Sequence, residues 1–207
     1  MEANEIPQGD LLPLVRKAKR ANKAYLEELE QAFLDRREER EQRGIPVLAI
    51  CGHGRAGKDL SAEYLCHVLK ITYGGSCSSI ILPLIAHSLD MPEEQAWEER
   101  HQHRTFWFDW CCALRQDDAA MLPRLLLGKG DMVVGIRSDV EMHAAEPLLD
   151  FTVWIERPQA DVDPTIQYGP EDCDVVIYND GGKLSLYRKL DKLVSIFGGV
   201  RHAIRSK

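Results

Sequence analysis

The sequence predicts an α/β protein with a doubly wound, mostly parallel sheet, flanking helices and one added helix at the N-terminus. Three observations support this fold class. Short continuous apolar runs, such as residues 47–51, are typical of strands that are buried on both faces of a sheet. These runs alternate with longer stretches of helical periodicity. A glycine-rich segment directly follows the run at 47–51, as expected where a strand turns into a helix.

Composition sets the class of protein before any motif is considered. The 207 residues are 44 % hydrophobic and 29 % charged, which is typical of a soluble globular protein. No apolar run approaches the ~20 residues that cross a bilayer, and residues 1–10 do not resemble a signal peptide. Six cysteines lack CxxC spacing, which favours reduced thiols. We therefore expect a cytoplasmic protein that does not bind membranes. Its net charge of −7 leaves only a local basic groove for nucleic acid.

The first segment, residues 1–44, is predicted to form one long amphipathic helix over about 11–42. Asp10 is a candidate N-cap, Pro13 suits a first turn, and Gly44 ends the pattern. We expect this helix to pack on the core or on a second copy of the chain, which would give a homodimer. The alternative is a helix that grips the substrate. Its apolar positions at near-helical spacing are Leu11, Val15, Ala18, Tyr25, Leu29 and Phe33.

Residues 45–207 are predicted to form the main domain. Apolar runs predict strands at 47–51, 71–73, 132–136, 151–155 and 175–178. Helices are expected at 59–69 and 184–197 and within a helical acceptor or lid segment at about 80–128. Inside that segment, 93–114 is compatible with one long helix or with two short ones.

A glycine loop between the first strand and its helix carries the clearest motif. Its spacing fits G-x-x-x-x-G-K, in which glycines let backbone N–H groups converge on phosphate oxygens and the lysine adds a positive charge. The following helix points its positive end at the same place. We therefore expect the loop to bind the phosphates of ATP; the alternative is an ordinary strand-to-helix turn. The loop consists of Gly52, His53, Gly54, Arg55, Ala56, Gly57 and Lys58, with His53 expected to contribute its backbone.

Asp59 stands where this motif usually has the Ser or Thr that holds Mg²⁺. A carboxylate can bind Mg²⁺ directly or through water, and it could equally act as a base toward an acceptor hydroxyl. Asp59 is therefore the predicted metal residue and a candidate catalytic residue. Ser61, two residues later, is a weaker metal candidate.

Phosphoryl transfer requires positive charge around an anionic transition state, and arginines supply it. Arg137 follows the strand at 132–136, on the edge of the sheet where α/β sites form; the alternative is an ion pair with Glu141. Arg100 and Arg104 have i, i+4 spacing and could clamp a phosphate, or they could form part of a solvated, ion-paired helix. We expect Arg104 and Arg137, together with Lys58, to be catalytic. We expect all three arginines to contact the acceptor.

Two further features are candidates for acceptor binding. Gly74, Gly75 and Ser76 follow the predicted strand at 71–73 and allow close backbone approach; a serine-capped helix N-terminus explains them almost as well. An aromatic cluster could stack on a base, although a hydrophobic core under a helical lid is the commoner case. The cluster consists of Trp97, Phe106, Trp107, Phe108 and Trp110.

The ending of the glycine loop, Gly57-Lys58-Asp59, resembles the deoxynucleoside monophosphate kinases of bacteriophages. Residues 133–137 with Glu141, residues 154–158 and residues 174–181 are similar to later segments of that family, in the same order. The resemblance covers about 45–197 and implies a P-loop kinase fold, ATP and Mg²⁺ as cofactors, a deoxynucleotide acceptor, and Arg157 near the donor nucleotide. The chain would then act in the host cytoplasm.

The chain also departs from that family. Gly135 stands where an acidic residue is common, so no Walker-B carboxylate ends that strand, and residues 73–100 differ from the plain nucleotide kinases. The acceptor could therefore be 5-hydroxymethyluracil already built into phage DNA, as in a subgroup of phage P-loop kinases. The basic residues Arg16, Lys17, Lys19 and Arg20 favour that alternative. A non-catalytic nucleotide-binding switch is the second alternative.

Overall fold

The computed structural model describes residues 9–205, with side chains over residues 9–197. Its sheet has four parallel strands in the order β2-β1-β3-β4. In the register, Ala49 lies opposite Val133 on one side and opposite Thr152 on the other. The α/β prediction is confirmed at this level: an all-parallel sheet is flanked by helices. The strands are β1 (Leu48–Cys51), β2 (Met132–Val134), β3 (Phe151–Glu156) and β4 (Val175–Tyr178).

Nine α-helices surround this sheet in the described part of the chain. They are α1 (Leu12–Ala21), α2 (Lys23–Arg43), α3 (Lys58–Leu69), α4 (Cys77–Leu89), α5 (Glu93–Glu99), α6 (Arg104–Leu114), α7 (Met121–Lys129), α8 (Asp139–Ala145) and α9 (Lys183–Arg205). Within the described residues, no helix is long and apolar enough to cross a membrane.

Helices cover both faces of the sheet because successive strand residues point to opposite sides. Ala49 and Trp154 face a large core formed with α1, α2, α4, α6, α7 and α8. Leu48, Ile50 and Val153 face a smaller core formed with α3 and α9. β1 and β2 are therefore fully buried, and β3 is buried over its four central residues, which explains why these sequences are mostly apolar. Tyr178 of the edge strand β4 is exposed.

The prediction of one continuous helix over 11–42 is wrong, because the helix is broken at Asn22. The Asn22 backbone N–H and its side-chain Nδ2 both donate to the Ala18 carbonyl oxygen, at 2.9 and 3.0 Å. Asparagine competes in this way with regular helix bonds. The break lets α1 pack on α4 and α6 while α2 lies along α7.

Both N-terminal helices are part of the main core, as one of the two packing alternatives predicted. Gly128 lets α2 and α7 approach closely, since a Cβ there would lie 2.2 Å from the Leu29 carbonyl oxygen. Arg40, buried on α2, donates to the carbonyl oxygens of Leu127 and Gly130 at 2.9 Å. The homodimer stays a prediction.

Two strand boundaries differ from the sequence prediction. Residues 71–73 form no strand; instead Thr72 bonds to Asp131 just before β2, through the Thr72 carbonyl at 2.9 Å and its N–H at 2.8 Å. The β2 strand ends at Val134 because Gly135, with φ +97°, turns the chain there. The region 93–114 forms two short helices, α5 and α6, with a break at 100–103.

Candidate active site at the carboxyl edge of the sheet

The glycine loop, residues 52–58, connects the end of β1 to the start of α3. Gly52 has φ +132° and lies so close to β3 that a Cβ would be 2.4 Å from the Ile155 carbonyl oxygen. Gly57 has φ +104°, another conformation that side chains rarely adopt. The loop therefore requires glycine at both positions, and it delivers the N-terminus of a 12-residue helix to the edge of the sheet. Such a helix end favours anions.

Lys58 turns its amine back over the glycine loop. Its Nζ donates to the His53 carbonyl oxygen at 2.6 Å. Burial, together with the positive charge of Arg137, lowers the pKa of Lys58 to about 8. Because burial and Arg137 disfavour the charged form of Lys58, an anion that enters the loop would stabilise that form.

Two residues from the neighbouring strand ends support the outer side of the loop. Asn179, which follows β4, donates from Nδ2 to the Ala56 carbonyl oxygen at 2.8 Å. Arg157, which follows β3, donates from Nη1 to the Arg55 carbonyl oxygen at 3.1 Å. Arg157 was predicted to lie near the donor, and it lies on the loop backbone. Asn179 was not among the predicted site residues, although its position just after a buried strand was a usable signal.

Arg104 and Arg137 converge on one buried carboxylate. Asp163 Oδ2 accepts from Arg104 Nη1 at 2.8 Å and from Arg137 Nη1 at 2.6 Å. The Asp163 side chain is 1 % exposed, whereas about a third of each arginine side chain is exposed. We call Arg104 and Arg137 the arginine pair, and Asp163 is the carboxylate that joins them.

Asp163 is held in its charged form. Burial alone would raise its pKa, but hydrogen bonds from Thr165 and the charge of Arg137 lower it to about 2. Thr165 donates to Asp163 Oδ1 from its backbone N–H at 3.1 Å and from its hydroxyl at 2.6 Å. Both carboxylate oxygens are thereby engaged, and the two guanidinium groups are fixed while the cluster keeps a net positive charge.

The arginine pair lies against the glycine loop. A Cβ on Gly54 would meet Arg104 Nη1 at 3.0 Å. The Asp163 backbone N–H donates to His53 Nδ1 at 3.3 Å, and the His53 ring packs edge-on against Trp154. His53 was expected to act through its backbone alone, but its imidazole also ties the loop to the Asp163 segment. Loop, lysine and arginine pair therefore form one site.

Arg100 does not form the predicted i, i+4 clamp with Arg104. The break at 100–103 places the two residues at the ends of different helices. Arg100 Nη1 donates to the Trp97 carbonyl oxygen at 2.5 Å, and its guanidinium lies 3.7 Å from the centre of the Trp97 ring. The carbonyl oxygen and the ring of Trp97 therefore hold Arg100 in place. Arg100 and Arg104 line the same cavity but do not share a helix face.

Asp59 lies in the first turn of α3 and is exposed. Its Oδ1 accepts a hydrogen bond from the Tyr73 hydroxyl at 2.8 Å. Ser61 is buried and donates its hydroxyl to the Gly57 carbonyl oxygen at 2.9 Å, so Asp59 is the better metal candidate. The described residues contain no group of three or more metal-ligating side chains. A single carboxylate fits Mg²⁺ that is held mainly by phosphates and water.

Gly74, Gly75 and Ser76 have structural explanations in the fold. The Gly74 backbone lies on Gly130, where a Cβ would come within 2.7 Å of the Gly130 nitrogen. Gly75 has φ +99°. The Ser76 N–H donates to Ser79 Oγ at 2.9 Å, at the start of α4. This geometry favours the serine-capped helix over a direct substrate role.

A cavity of about 70 Å³ adjoins the arginine pair. Its apolar walls include Trp107 and Phe108 of α6, and Arg100, Arg104 and Arg137 line it as well. Of the predicted aromatic cluster, Phe106, Trp107 and Trp110 are buried in the core. The cluster thus forms part of the core and also part of the cavity wall.

Glu141 also lines this cavity, and the side-chain ion pair with Arg137, which was the alternative to a functional role for Arg137, does not form. Its Oε2 accepts from Arg115 Nη1 at 2.8 Å and from the Arg137 backbone N–H at 3.4 Å. The Arg137 guanidinium instead donates to Asp163 Oδ2 and to the Thr165 hydroxyl oxygen, while Arg115 and Glu141 form a separate buried pair.

No protein-family model matches the chain. A comparison with curated proteins found no match either. The site itself combines a cationic loop at a helix N-terminus, two fixed guanidinium groups against that loop, and a cavity with apolar and aromatic walls.

Proposed function

We propose that this chain is a P-loop kinase that transfers the γ-phosphate of ATP to a deoxynucleotide-type acceptor, like the phage deoxynucleoside monophosphate kinases that its motifs resemble. One observation carries the proposal: the glycine loop with Lys58 and the pair Arg104–Arg137 lie in a single site, because Asp163 bonds to both arginines and to His53 of the loop. Phosphoryl transfer is catalysed mainly by such positioning and by charge.

The glycine loop would hold the donor. Its backbone N–H groups and the N-terminus of α3 suit the phosphate oxygens of ATP, and Lys58 would exchange its bond to the His53 carbonyl for a bond to the outer phosphates. Asp59 would meet Mg²⁺, which when bound neutralises charge on the donor phosphates. Asn179 and Arg157 would keep the loop in shape, because both bond to its carbonyl oxygens.

The arginine pair would act on the group in transfer. Arg104 donates from Nη1 to Asp163, and Arg137 donates from Nη1 to Asp163 and to the Thr165 hydroxyl. The Nε and Nη2 donors of each group remain for phosphate oxygens. Asp163 stops the two cations from separating and fixes their direction before the substrate arrives. Preorganised donors of this kind stabilise charge in the transition state without reorganisation.

An anionic acceptor suits this site better than a neutral one. Three arginines, Arg100, Arg104 and Arg137, line the cavity beside the loop. A monophosphate acceptor is already ionised near neutral pH, so it requires no general base to attack. Asp59 is then free to serve the metal, which is its better-supported role.

Two other functions have some support. The exposed basic side chains Arg16, Lys17 and Arg20 on α1 favour an acceptor in DNA, such as 5-hydroxymethyluracil, whose hydroxyl would require a base. The absence of a carboxylate at the end of β2, where Gly135 stands, favours a nucleotide-binding switch without transfer. The arginine pair favours phosphoryl transfer over a switch, and the three arginines that line the cavity favour a free monophosphate acceptor over an acceptor in DNA.

The test is an acceptor panel with γ-labelled ATP and Mg²⁺. The panel contains all deoxynucleoside monophosphates, hydroxymethyl-dUMP, and duplex DNA with hydroxymethyluracil. Lys58→Ala is the inactive variant, and Lys183→Ala, at an exposed position outside the loop, is the matched control. Label on a free monophosphate supports the proposal, label on DNA alone supports the second function, and ATP binding without any labelled acceptor contradicts both.

A further inference from the structure

Glu141 carries an oxygen without a partner inside the cavity wall. The residue is 1 % exposed, and within the described part of the chain its Oε1 has no hydrogen-bond partner. Arg115 and the backbone of Arg137 satisfy only Oε2. Buried polar atoms in proteins are almost always paired, so an unpaired carboxylate oxygen beside a cavity requires an explanation.

Structural ion pairing explains only half of this carboxylate. Arg115 reaches Glu141 through Nη1 and directs its Nη2 to Cys112 Sγ at 3.2 Å, so it holds Glu141 in place without covering Oε1. The Ser138 hydroxyl, nearest along α8, accepts from the Glu141 backbone N–H at 3.1 Å and anchors the helix start. The carboxylate is fixed in orientation, and one acceptor oxygen remains for a ligand.

The other groups that line the cavity define the ligand. The arginines Arg100, Arg104 and Arg137 suit a phosphate, and the rings of Trp107 and Phe108 suit a flat apolar body. An unpaired carboxylate oxygen suits one N–H or O–H donor. A nucleoside monophosphate has all three features: an anionic end, a planar ring and a donor on that ring.

We propose that Glu141 determines acceptor specificity by accepting a hydrogen bond, at Oε1, from an N–H or O–H group on the base of the acceptor nucleotide. This inference depends on the proposed function for the acceptor being a nucleotide. The inference identifies Glu141 as the residue that recognises the base. A site built to pair a donor rejects analogues that lack it, because its own polar group would stay unpaired.

The size of the cavity selects among bases. At about 70 Å³ it is well below the roughly 300–1,000 Å³ of typical ligand pockets. Side chains at the rim must therefore move when a base enters, and a pyrimidine requires less movement than a purine. We expect pyrimidine monophosphates to bind more tightly than purine monophosphates.

The test measures binding directly, without requiring transfer. Isothermal titration ranks the deoxynucleoside monophosphates on the wild-type protein. The tightest binder is then compared with an analogue in which the base donor is methylated, for example N3-methyl-dTMP for dTMP. We expect methylation to weaken binding to the wild type by about 10- to 100-fold, the size of one buried hydrogen bond to a charged group.

Glu141→Gln removes the charge and keeps the volume. Its amide oxygen can still accept from Arg115, but an NH₂ donor then replaces the free oxygen. We expect the variant to bind the parent nucleotide about as weakly as the wild type binds the methylated analogue, and to lose discrimination between the two. Glu30→Gln, which alters an ion pair with Arg124 outside the cavity, is the matched control and should discriminate as the wild type does.

The outcomes separate this inference from the kinase proposal. Equal binding of the parent and methylated nucleotides to the wild type would overturn the inference, and this comparison requires no variant. The inference would also be overturned if Glu141→Gln still preferred the parent nucleotide to the methylated one, or if the wild-type protein bound no monophosphate. If the wild type binds the parent nucleotide more tightly than the methylated one but transfers no phosphate, the inference stands and the proposed kinase activity is contradicted.

Discussion

Asp163→Asn tests whether one carboxylate holds the arginine pair. The substitution keeps the shape of the side chain but removes the charge that faces Arg104 Nη1 at 2.8 Å and Arg137 Nη1 at 2.6 Å. One of the two side-chain oxygens becomes an NH₂ donor, which must point either at the guanidinium groups or at the Thr165 N–H. The variant therefore loses two hydrogen bonds on one side or the other.

Two routes limit the magnitude. A lowering of the Asp163 pKa from 3.8 to about 2 corresponds to between about 2 and 3 kcal/mol of stability at neutral pH, at ~1.4 kcal/mol per unit. Hydrogen bonds to charged groups contribute about 1.5–3 kcal/mol each, but the guanidinium groups can turn to water because a third of each side chain is exposed. We expect a loss of about 2–3 kcal/mol.

Urea unfolding at pH 7 measures this loss. Asp161→Asn, an exposed position in the same segment, should change stability by less than about 0.5 kcal/mol. The folded pKa of Asp163 lies below its unfolded value, so its contribution is present above about pH 4 and disappears as the pH falls toward 2. The difference between wild type and variant should shrink over that interval. Equal urea midpoints at pH 7 would refute the role assigned to Asp163.

Three further predictions concern the glycine loop. The pKa of Lys58 is lowered to about 8, so the lysine loses its charge as the pH rises through that value. Calorimetry should therefore show that the affinity for ATP falls between about pH 8 and 10. An affinity that does not change over this pH range would contradict the prediction. Gly52→Ala should prevent stable folding, because a Cβ would lie 2.4 Å from the Ile155 carbonyl oxygen, whereas Gly182→Ala, with no atom within 4 Å, should unfold like the wild type. Asn179→Ala should lower the free energy of unfolding by about 1 kcal/mol and weaken ATP binding, because the Ala56 carbonyl loses its hydrogen bond. An unchanged urea midpoint together with an unchanged Kd for ATP would show that this prediction is wrong.

The parts of the fold that depend on local pattern were predictable from the sequence. Buried parallel strands are apolar without alternation, so β1, β3 and β4 were located closely, and the glycine loop is recognisable because its conformation is set by its own glycines. The break at Asn22 was missed because hydrophobic periodicity continues through it. That break depends on a side-chain bond to Ala18 and on the directions in which α1 and α2 must pack.

Some residues of the candidate site were predicted from the sequence, but Asp163, Asn179 and the contacts that join the residues were not. Arg104 and Arg137 were expected to act together, and the structure brings them together. Asp163, which joins them, lies in the segment between β3 and β4, where no periodicity or motif marks a residue, so only the tertiary fold reveals it. Arg100 and Arg104 were paired by helical spacing, and this pairing failed because the chain leaves the helix between them.

Arg137→Gln in single-turnover kinetics tests most directly whether the arginine pair serves the transfer step rather than donor binding. With saturating acceptor, we expect the rate of phosphoryl transfer to fall by about 100- to 1,000-fold, as for the loss of one preorganised donor, while the Kd for ATP changes by less than about threefold. A transfer rate close to that of the wild type, or a loss explained entirely by weaker ATP binding, would contradict the claim.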